Sequence, residues 1–206
     1  MSKQIRGIIL EGQSCSGKTS IFSAIKQFHV LENDTERNVI CLAEHYSQNL
    51  NWVNGEFQRL KQDENLKVLS DRISMLEQLN NYANSMGESS RRSRGLFFVF
   101  ERFHLNYAFC FNDITSNEYL KLEQRLLNLN ALSVLCTISP ENTAQRLTHR
   151  ASYTNEVVTE EGILEYIKNQ QQFIDIANKS TVPTLIINTD DLNWDKYARM
   201  ILNKIH

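Results

Sequence analysis

Eight consecutive residues limit what this chain can fold into more than any others. Gly12-Gln13-Ser14-Cys15-Ser16-Gly17-Lys18-Thr19 follows the pattern G-x-x-x-x-G-K-[ST]. It lies directly after a short apolar run, Gly7–Glu11, and before an amphipathic segment, Lys18–His29. Strand, glycine loop and helix in that order make a phosphate cradle. Gly12 and Gly17 let the backbone curl so that successive amide N–H groups point inward at the positive end of a helix. Lys18 is placed to meet β- and γ-phosphates as a point charge, and the Thr19 hydroxyl to hold Mg²⁺. Ser14, Cys15, Ser16 and Ser20 complete the wall of a site for ATP with Mg²⁺.

The rest of the chain supplies a matching frame. Five short runs rich in Val, Ile, Leu and Phe recur: Gly7–Glu11, Val39–Glu44, Leu96–Glu101, Leu132–Ser139 and Thr184–Thr189. Their apolar character is continuous rather than alternating, as in strands buried on both faces of a parallel sheet. Helical segments fall between and after them: Phe57–Ser85, Asn117–Leu129, Pro140–Arg150, Glu160–Asn178 and Leu192–Ile205. Alternation of this kind predicts an α/β fold with right-handed crossovers. No repeat, linker or shift of composition divides residues 1–206, so one domain is expected. With only 7 Gly and 2 Pro, a turn-rich all-β chain or a disordered one is excluded.

Charge and cysteine content narrow the partners. The formal net charge is -2, from 22 Lys+Arg against 24 Asp+Glu, which argues against coating nucleic acid or an anionic membrane. The longest apolar run, Leu96–Phe100, is far short of the ~20 residues that span a bilayer. Lys3 and Arg6 leave no apolar core for a signal peptide. Cys15, Cys41, Cys110 and Cys136 form no CxxC pair and no zinc spacing. A reduced, cytoplasmic protein without a structural metal is the expectation. The short basic cluster Arg91, Arg92 and Arg94 reads as a solvated loop. Cys15 reads as a small space-filling residue, or alternatively as a thiol acidified by the helix N-terminus.

A second acidic feature belongs with the loop. Leu96–Phe100 ends in Glu101-Arg102. In a parallel sheet that end faces the ligand crevice. Glu101 can support the hydrated metal, and Arg102 can neutralise phosphoryl charge in the transition state. Glu44 closes the second strand in the same way and is a candidate base or sugar anchor.

These residues together resemble the thymidylate kinases and the related deoxynucleoside kinases. The resemblance rests on Ile9-Leu10-Glu11-Gly12 through Thr19, Asp71-Arg72, Glu101-Arg102, and Ser139-Pro140-Glu141 followed by Arg146 and Arg150. It implies a five-stranded parallel sheet of order 2-3-1-4-5, flanked by helices and closed by a small lid at about residues 146–160. It also implies transfer of the γ-phosphoryl of ATP to a nucleoside monophosphate or a nucleoside 5′-hydroxyl, in proteins that are often homodimers. Under it, Arg72 and Arg102 orient the acceptor, and Arg146 and Arg150 close over ATP from one helical face. Glu44 takes the hydroxyl proton, while Phe103 and Tyr107 fall near the positions that read the acceptor base.

Departures gather on the acceptor side. Ser14 stands where thymidylate kinases carry Asp, Cys15 where they often carry Arg or Gly, and His45 where deoxynucleoside kinases carry Pro. Two other readings therefore stay open: a kinase of a non-nucleotide small molecule, and a nucleotide-dependent switch. The Asn-Lys-x-Asp motif of GTPases does not occur.

Overall fold

The computed structural model describes residues 5–31, 38–44, 50–86, 95–154 and 157–205. Arg91, Arg92, Arg94 and His45 lie outside them. The chain opens with β1 (Arg6–Glu11), which feeds the glycine loop and α1 (Lys18–Leu31). Then come β2 (Asn38–Leu42), a hairpin of β3 (Leu50–Val53) and β4 (Glu56–Arg59), and α2 (Gln62–Ser85). β5 (Leu96–Glu101), α3 (His104–Phe111) and α4 (Asn117–Asn128) follow. The last part is β6 (Ala131–Thr137), α5 (Pro140–Thr154), α6 (Glu160–Lys179), β7 (Thr184–Asn188) and α7 (Trp194–Ile205).

Five strands pair in the order β2-β5-β1-β6-β7, and every pairing is parallel. Counted within that sheet alone, the order is 2-3-1-4-5, the three-layer P-loop kinase arrangement. The apolar runs alternate between two cores. Ile9, Phe98, Phe100 and Leu135 pack with Leu69, Ile73, Leu126 and Phe173 beneath α2, α4 and α6. Ile8, Leu10, Phe97, Val99 and Val134 pack with Ile21, Ile25, Tyr197 and Ile201 beneath α1 and α7. Burial on both faces is why these strands show no polar alternation.

Two elements differ from the sequence expectation. The helix anticipated from Phe57 begins at Gln62, because residues 50–59 form the β3–β4 hairpin. Its turn is Asn54-Gly55, with φ of 52° and 85°, the paired positive values of a two-residue hairpin turn. α3 occupies a stretch for which no helix was anticipated. It is short and mostly buried, so its apolar residues show no helical stripe.

α5 lies apart from both cores, with Thr143 as its buried residue. The helix runs on through Thr154, so the first half of the lid expected at about residues 146–160 is the C-terminal part of α5.

Parallel pairing brings the C-terminal ends of the strands to one edge. Glu11, Glu44, Glu101, Ser139 and Asp190 all sit at or just beyond those ends.

Candidate active site

The glycine loop turns at that edge. Gly12 (φ +123°) approaches the Cys136 carbonyl so closely that a Cβ would stand 2.5 Å from it, and Cys15 takes the left-handed conformation with φ 68°. The loop's carbonyls are tied down one after another. Gln13 O accepts from Ser16 Oγ (2.8 Å) and Lys18 Nζ (2.6 Å). Ser14 O accepts from the Tyr166 hydroxyl (2.9 Å), Cys15 O from Arg146 Nη2 (2.8 Å), and Ser16 O from Thr189 Oγ1 (3.0 Å). Four consecutive carbonyls are engaged, Gln13 O from within the motif and the next three by α6, α5 and Thr189, which fixes the loop's backbone and leaves N–H groups at the start of α1 to meet an anion.

Lys18 is buried, and its ammonium is held down to about 8, first by desolvation and then by the nearby Arg102 charge. An incoming phosphate would relieve both effects. Thr19 Oγ1 donates to Glu101 Oε1 at 2.7 Å, which joins the two groups expected to manage the metal. That fits Mg²⁺, which takes few protein ligands and completes its shell with water and phosphate oxygens. Among the described residues no cluster of three or more His, Cys, Asp and Glu could hold a metal unaided.

Arg102 has φ 59°, a conformation that costs about 1–2 kcal/mol for an L-residue and is held here by neighbours. Its N–H donates to Leu10 O at 2.9 Å. The Glu11 carboxylate, wholly buried, accepts from the Phe103 and Leu105 amides at 3.0 Å each. Fixed this way, the Arg102 side chain reaches forward: Nε donates to Glu44 Oε2 at 2.8 Å and Nη2 to Ser14 Oγ at 3.3 Å. Burial pushes the Glu11 carboxyl up to about 7 and outweighs the two amides and the charges of Arg102 and Lys18.

One cavity of about 620 Å³ takes in the expected donor groups of the loop and α5 together with Glu44 and Arg102 from the acceptor side. Ser14, Cys15, Gly17, Lys18, Thr19 and Ser20 line its floor, Glu44 and Arg102 one side, and Arg146 and Arg150 the other. Arg146 also donates to Thr189 O at 3.1 Å, and its guanidinium lies 5.6 Å from the Trp194 ring centroid. Its two terminal nitrogens thus hold loop and strand end together. Arg150 is exposed, and its charge acts on the Cys15 thiol. That thiol is shifted up rather than down: desolvation outweighs the cations of Arg150, Lys18 and Arg146, so the acidified alternative does not hold.

Three acceptor-side residues are not brought to this cavity. Phe103 is buried against Phe100, ring centroids 5.6 Å apart. Tyr107 is buried too, its hydroxyl donating to Asp113 at 2.8 Å and accepting from Gln62 at 3.0 Å. Both aromatic rings serve the core, as most aromatic residues near amphipathic helices do. Arg72 is half-buried on α2, away from the lining residues. Its Nη1 is buried without a hydrogen-bond partner among the described residues, and desolvation lowers its pKa to about 10. Asp71 turns outward to Lys67.

Other residues at the site escaped sequence reasoning. Trp194 lies over Gly17, and Gln145, His149 and Tyr153 of α5 join Arg146 and Arg150 on the wall. The i, i+3, i+4 and i+7 spacing of those α5 residues was the available signal. Tyr166 had none, because its partner Ser14 is 152 positions away.

No family model matches the sequence, and no curated protein matches it either. Solved structures do. The YorR protein from Bacillus subtilis, in complex with phosphorylated GDP, superposes with a TM-score of 0.59 at 14% identity, over 97% of this chain and 95% of that one. Deoxyadenosine kinase from M. mycoides, with products dCMP and a flexible dCDP bound, gives 0.47 at 14% identity, over 97% and 98%. The first likeness is one of fold across nearly the whole chain. Among the described residues no helix is long and apolar enough to cross a membrane.

Proposed function

We propose that this chain is a phosphotransferase that moves the γ-phosphoryl group of ATP to a hydroxyl of a nucleoside-sized acceptor. The observation that carries this reading is the placement of the Glu44–Arg102 pair, at 2.8 Å, in the same cavity as Lys18 and Thr19. A hydroxyl must lose a proton as it attacks, and a carboxylate within reach can take it. An acceptor phosphate is already ionised and would meet the Glu44 charge as repulsion. The cavity volume suits a nucleotide with a small partner.

The donor phosphates lie against the loop amides, with Lys18 on the β- and γ-oxygens. Thr19 and Glu101 would hold Mg²⁺, which would supply neutralisation of the charge that develops on the phosphates. Arg102 holds the Glu44 carboxylate in place and faces the transferring group. Glu44 receives the acceptor proton as the new O–P bond forms and the bond to the β-phosphate oxygen breaks, releasing ADP. Arg146 and Arg150 cover the site from α5 and help exclude water, which would compete as acceptor.

One observation favours a second reading, in which the acceptor carries its own anion. Half-buried Arg72 on α2 has one nitrogen, Nη1, with no hydrogen-bond partner among the described residues, and an acceptor long enough to reach beyond the cavity to it would bring a phosphate there. Transfer assays with ATP·Mg²⁺ against a panel of nucleosides and their monophosphates separate the two. The panel should include guanine nucleotides, given the ligand of YorR. Turnover of nucleosides, with kcat reduced at least about 100-fold in Glu44→Gln, is the expected result. Turnover of monophosphates alone, indifferent to Glu44→Gln, supports the second reading. Tight nucleotide binding with no turnover on any acceptor returns the chain to a nucleotide-dependent switch.

A further inference from the structure

No residue of α6 lines the cavity, yet α6 grips the backbone on both sides of it. Tyr166 is hydrogen-bonded at both its hydroxyl and its carbonyl to the adjacent loop residues Ser14 and Gln13. The Tyr166 hydroxyl donates to Ser14 O at 2.9 Å, and Gln13 Nε2 donates to Tyr166 O at 2.5 Å. One turn further along, buried Gln170 makes a reciprocal pair. Its Oε1 accepts from Ile138 N at 2.8 Å, and its Nε2 donates to Ile138 O at 2.7 Å. Ile138 follows β6 immediately before the Ser139-Pro140 entry to α5. Positions 166 and 170 share one helical face. That face therefore ties the phosphate loop to the root of the helix that carries Arg146 and Arg150.

The chemistry of the bonds shows what they do. Ser14 O belongs to the loop segment with left-handed Cys15 at its centre, a conformation that persists only when its surroundings fix it. Arg146 holds the next carbonyl, Cys15 O, from α5. Two consecutive peptide units are thus set from two helices, and those helices are joined to each other through Gln170 and Ile138. The direction in which the loop's N–H groups point depends on both.

We infer that α6 is the strut that fixes the phosphate loop, with Tyr166 and Gln13 as positioning residues for the donor phosphates. The inference rests on the reading of this loop as the donor site. Loss of the Tyr166 hydroxyl leaves the Ser14 carbonyl without its side-chain partner and lets the peptide rotate, which weakens the donor without touching any group that contacts it.

The test is ATP·Mg²⁺ binding to the full-length protein by titration calorimetry, for wild type, Tyr166→Phe, Gln13→Ala, the double variant and Lys18→Ala. Tyr166→Phe should weaken binding about tenfold while the thermal midpoint stays within ~2 °C and the KM of the acceptor is unchanged. Unchanged affinity in Tyr166→Phe overturns the inference. If Tyr166→Phe loses thermal stability as well, Gln13→Ala decides: equal weakening, with no further loss in the double variant, supports the strut, and additive losses overturn it. Lys18→Ala separates the two levels. Should it bind ATP·Mg²⁺ as well as wild type, the donor-site reading itself fails, and the strut with it. If Lys18→Ala alone weakens binding, the donor site stands and the strut is overturned.

Discussion

Thr19 Oγ1 donates to Glu101 Oε1 at 2.7 Å, joining the first turn of α1 to the end of β5 across the sheet. Glu101 is fully buried, so the metal's hydroxyl ligand and its supporting charge occupy one spot with little room to relax. Glu101→Gln keeps the acceptor oxygen and removes the charge. The Mg²⁺ concentration for half-maximal transfer should rise about tenfold or more, while nucleotide binding without metal is unaltered. Transfer rates over a magnesium titration at fixed ATP check this, and an unmoved midpoint would sink the metal assignment.

Lys18 Nζ donates to the Gln13 carbonyl at 2.6 Å, which leaves two of its three N–H donors for phosphate oxygens. Removing the ammonium should weaken ATP binding and also lower kcat by about 1,000-fold or more, since the group meets charge already on the β- and γ-phosphates and more charge as transfer proceeds. Lys18→Arg should fail nearly as badly, because a forked guanidinium does not fit a buried space shaped for a point charge. Single-turnover transfer at saturating ATP is the measurement. Activity of Lys18→Ala within a few-fold of wild type would show that the loop does not serve transfer.

Features encoded within a few adjacent residues were legible in the sequence, and features made by distant partners were not. The five sheet strands could be read because burial on both faces writes Val, Ile, Leu and Phe into every position. The phosphate loop could be read because Gly12, Gly17, Lys18 and Thr19 each answer a local demand. The β3–β4 hairpin carried its signal at Asn54-Gly55, but the long amphipathic stretch beginning at Gln62 masked it as part of one helix. α3 was hidden by its own burial. Phe103 and Tyr107 sit at plausible places in the chain, yet the turn at Arg102 sends both rings into the core and only the arginine forward. Tyr166 and Trp194 owe their roles to contacts across the fold that no local pattern records.

Gly17 is under two independent constraints. Its φ is +87°, and a Cβ would meet the Trp194 ring at 2.6 Å. Gly17→Ala should therefore cost about 2–4 kcal/mol, from left-handed strain together with overpacking against the indole. Trp194→Ala in the same chain should restore the overpacking share and leave the strain. Urea unfolding of the two single variants and the double variant resolves the shares. A double variant whose loss equals the sum of the two single losses would mean that the indole is not what the new methyl meets.

Glu11 and His104 make stability depend on pH in opposite directions. Both are fully buried, with His104 Nδ1 3.6 Å from Glu11 Oε1. Burial raises Glu11 from 4.5 to about 7, so the folded state holds a proton that the unfolded state has released, and stability falls as pH rises from 4.5 through 7. Burial lowers His104 from 6.5 to about 4 against the pull of Glu123, so the folded state refuses a proton that the unfolded state accepts. Its contribution rises with pH over 4 to 6.5. Arg102, Lys18, Cys136 and Tyr119 also face Glu11; burial holds the Cys136 thiol and the Tyr119 phenol neutral across this window, and Lys18, at about 8, stays mainly charged. In the wild type the two slopes oppose each other between pH 4.5 and 6.5, each worth about 1.4 kcal/mol per pH unit at most. Glu11→Gln keeps an oxygen for the Phe103 and Leu105 amides and removes one slope, so stability should climb with pH from 4 to 6.5. His104→Asn removes the other, and stability should decline from 4.5 to 7. Urea unfolding at half-unit steps of pH gives both slopes. Parallel profiles in the two variants would show that these buried groups do not carry the opposing protons.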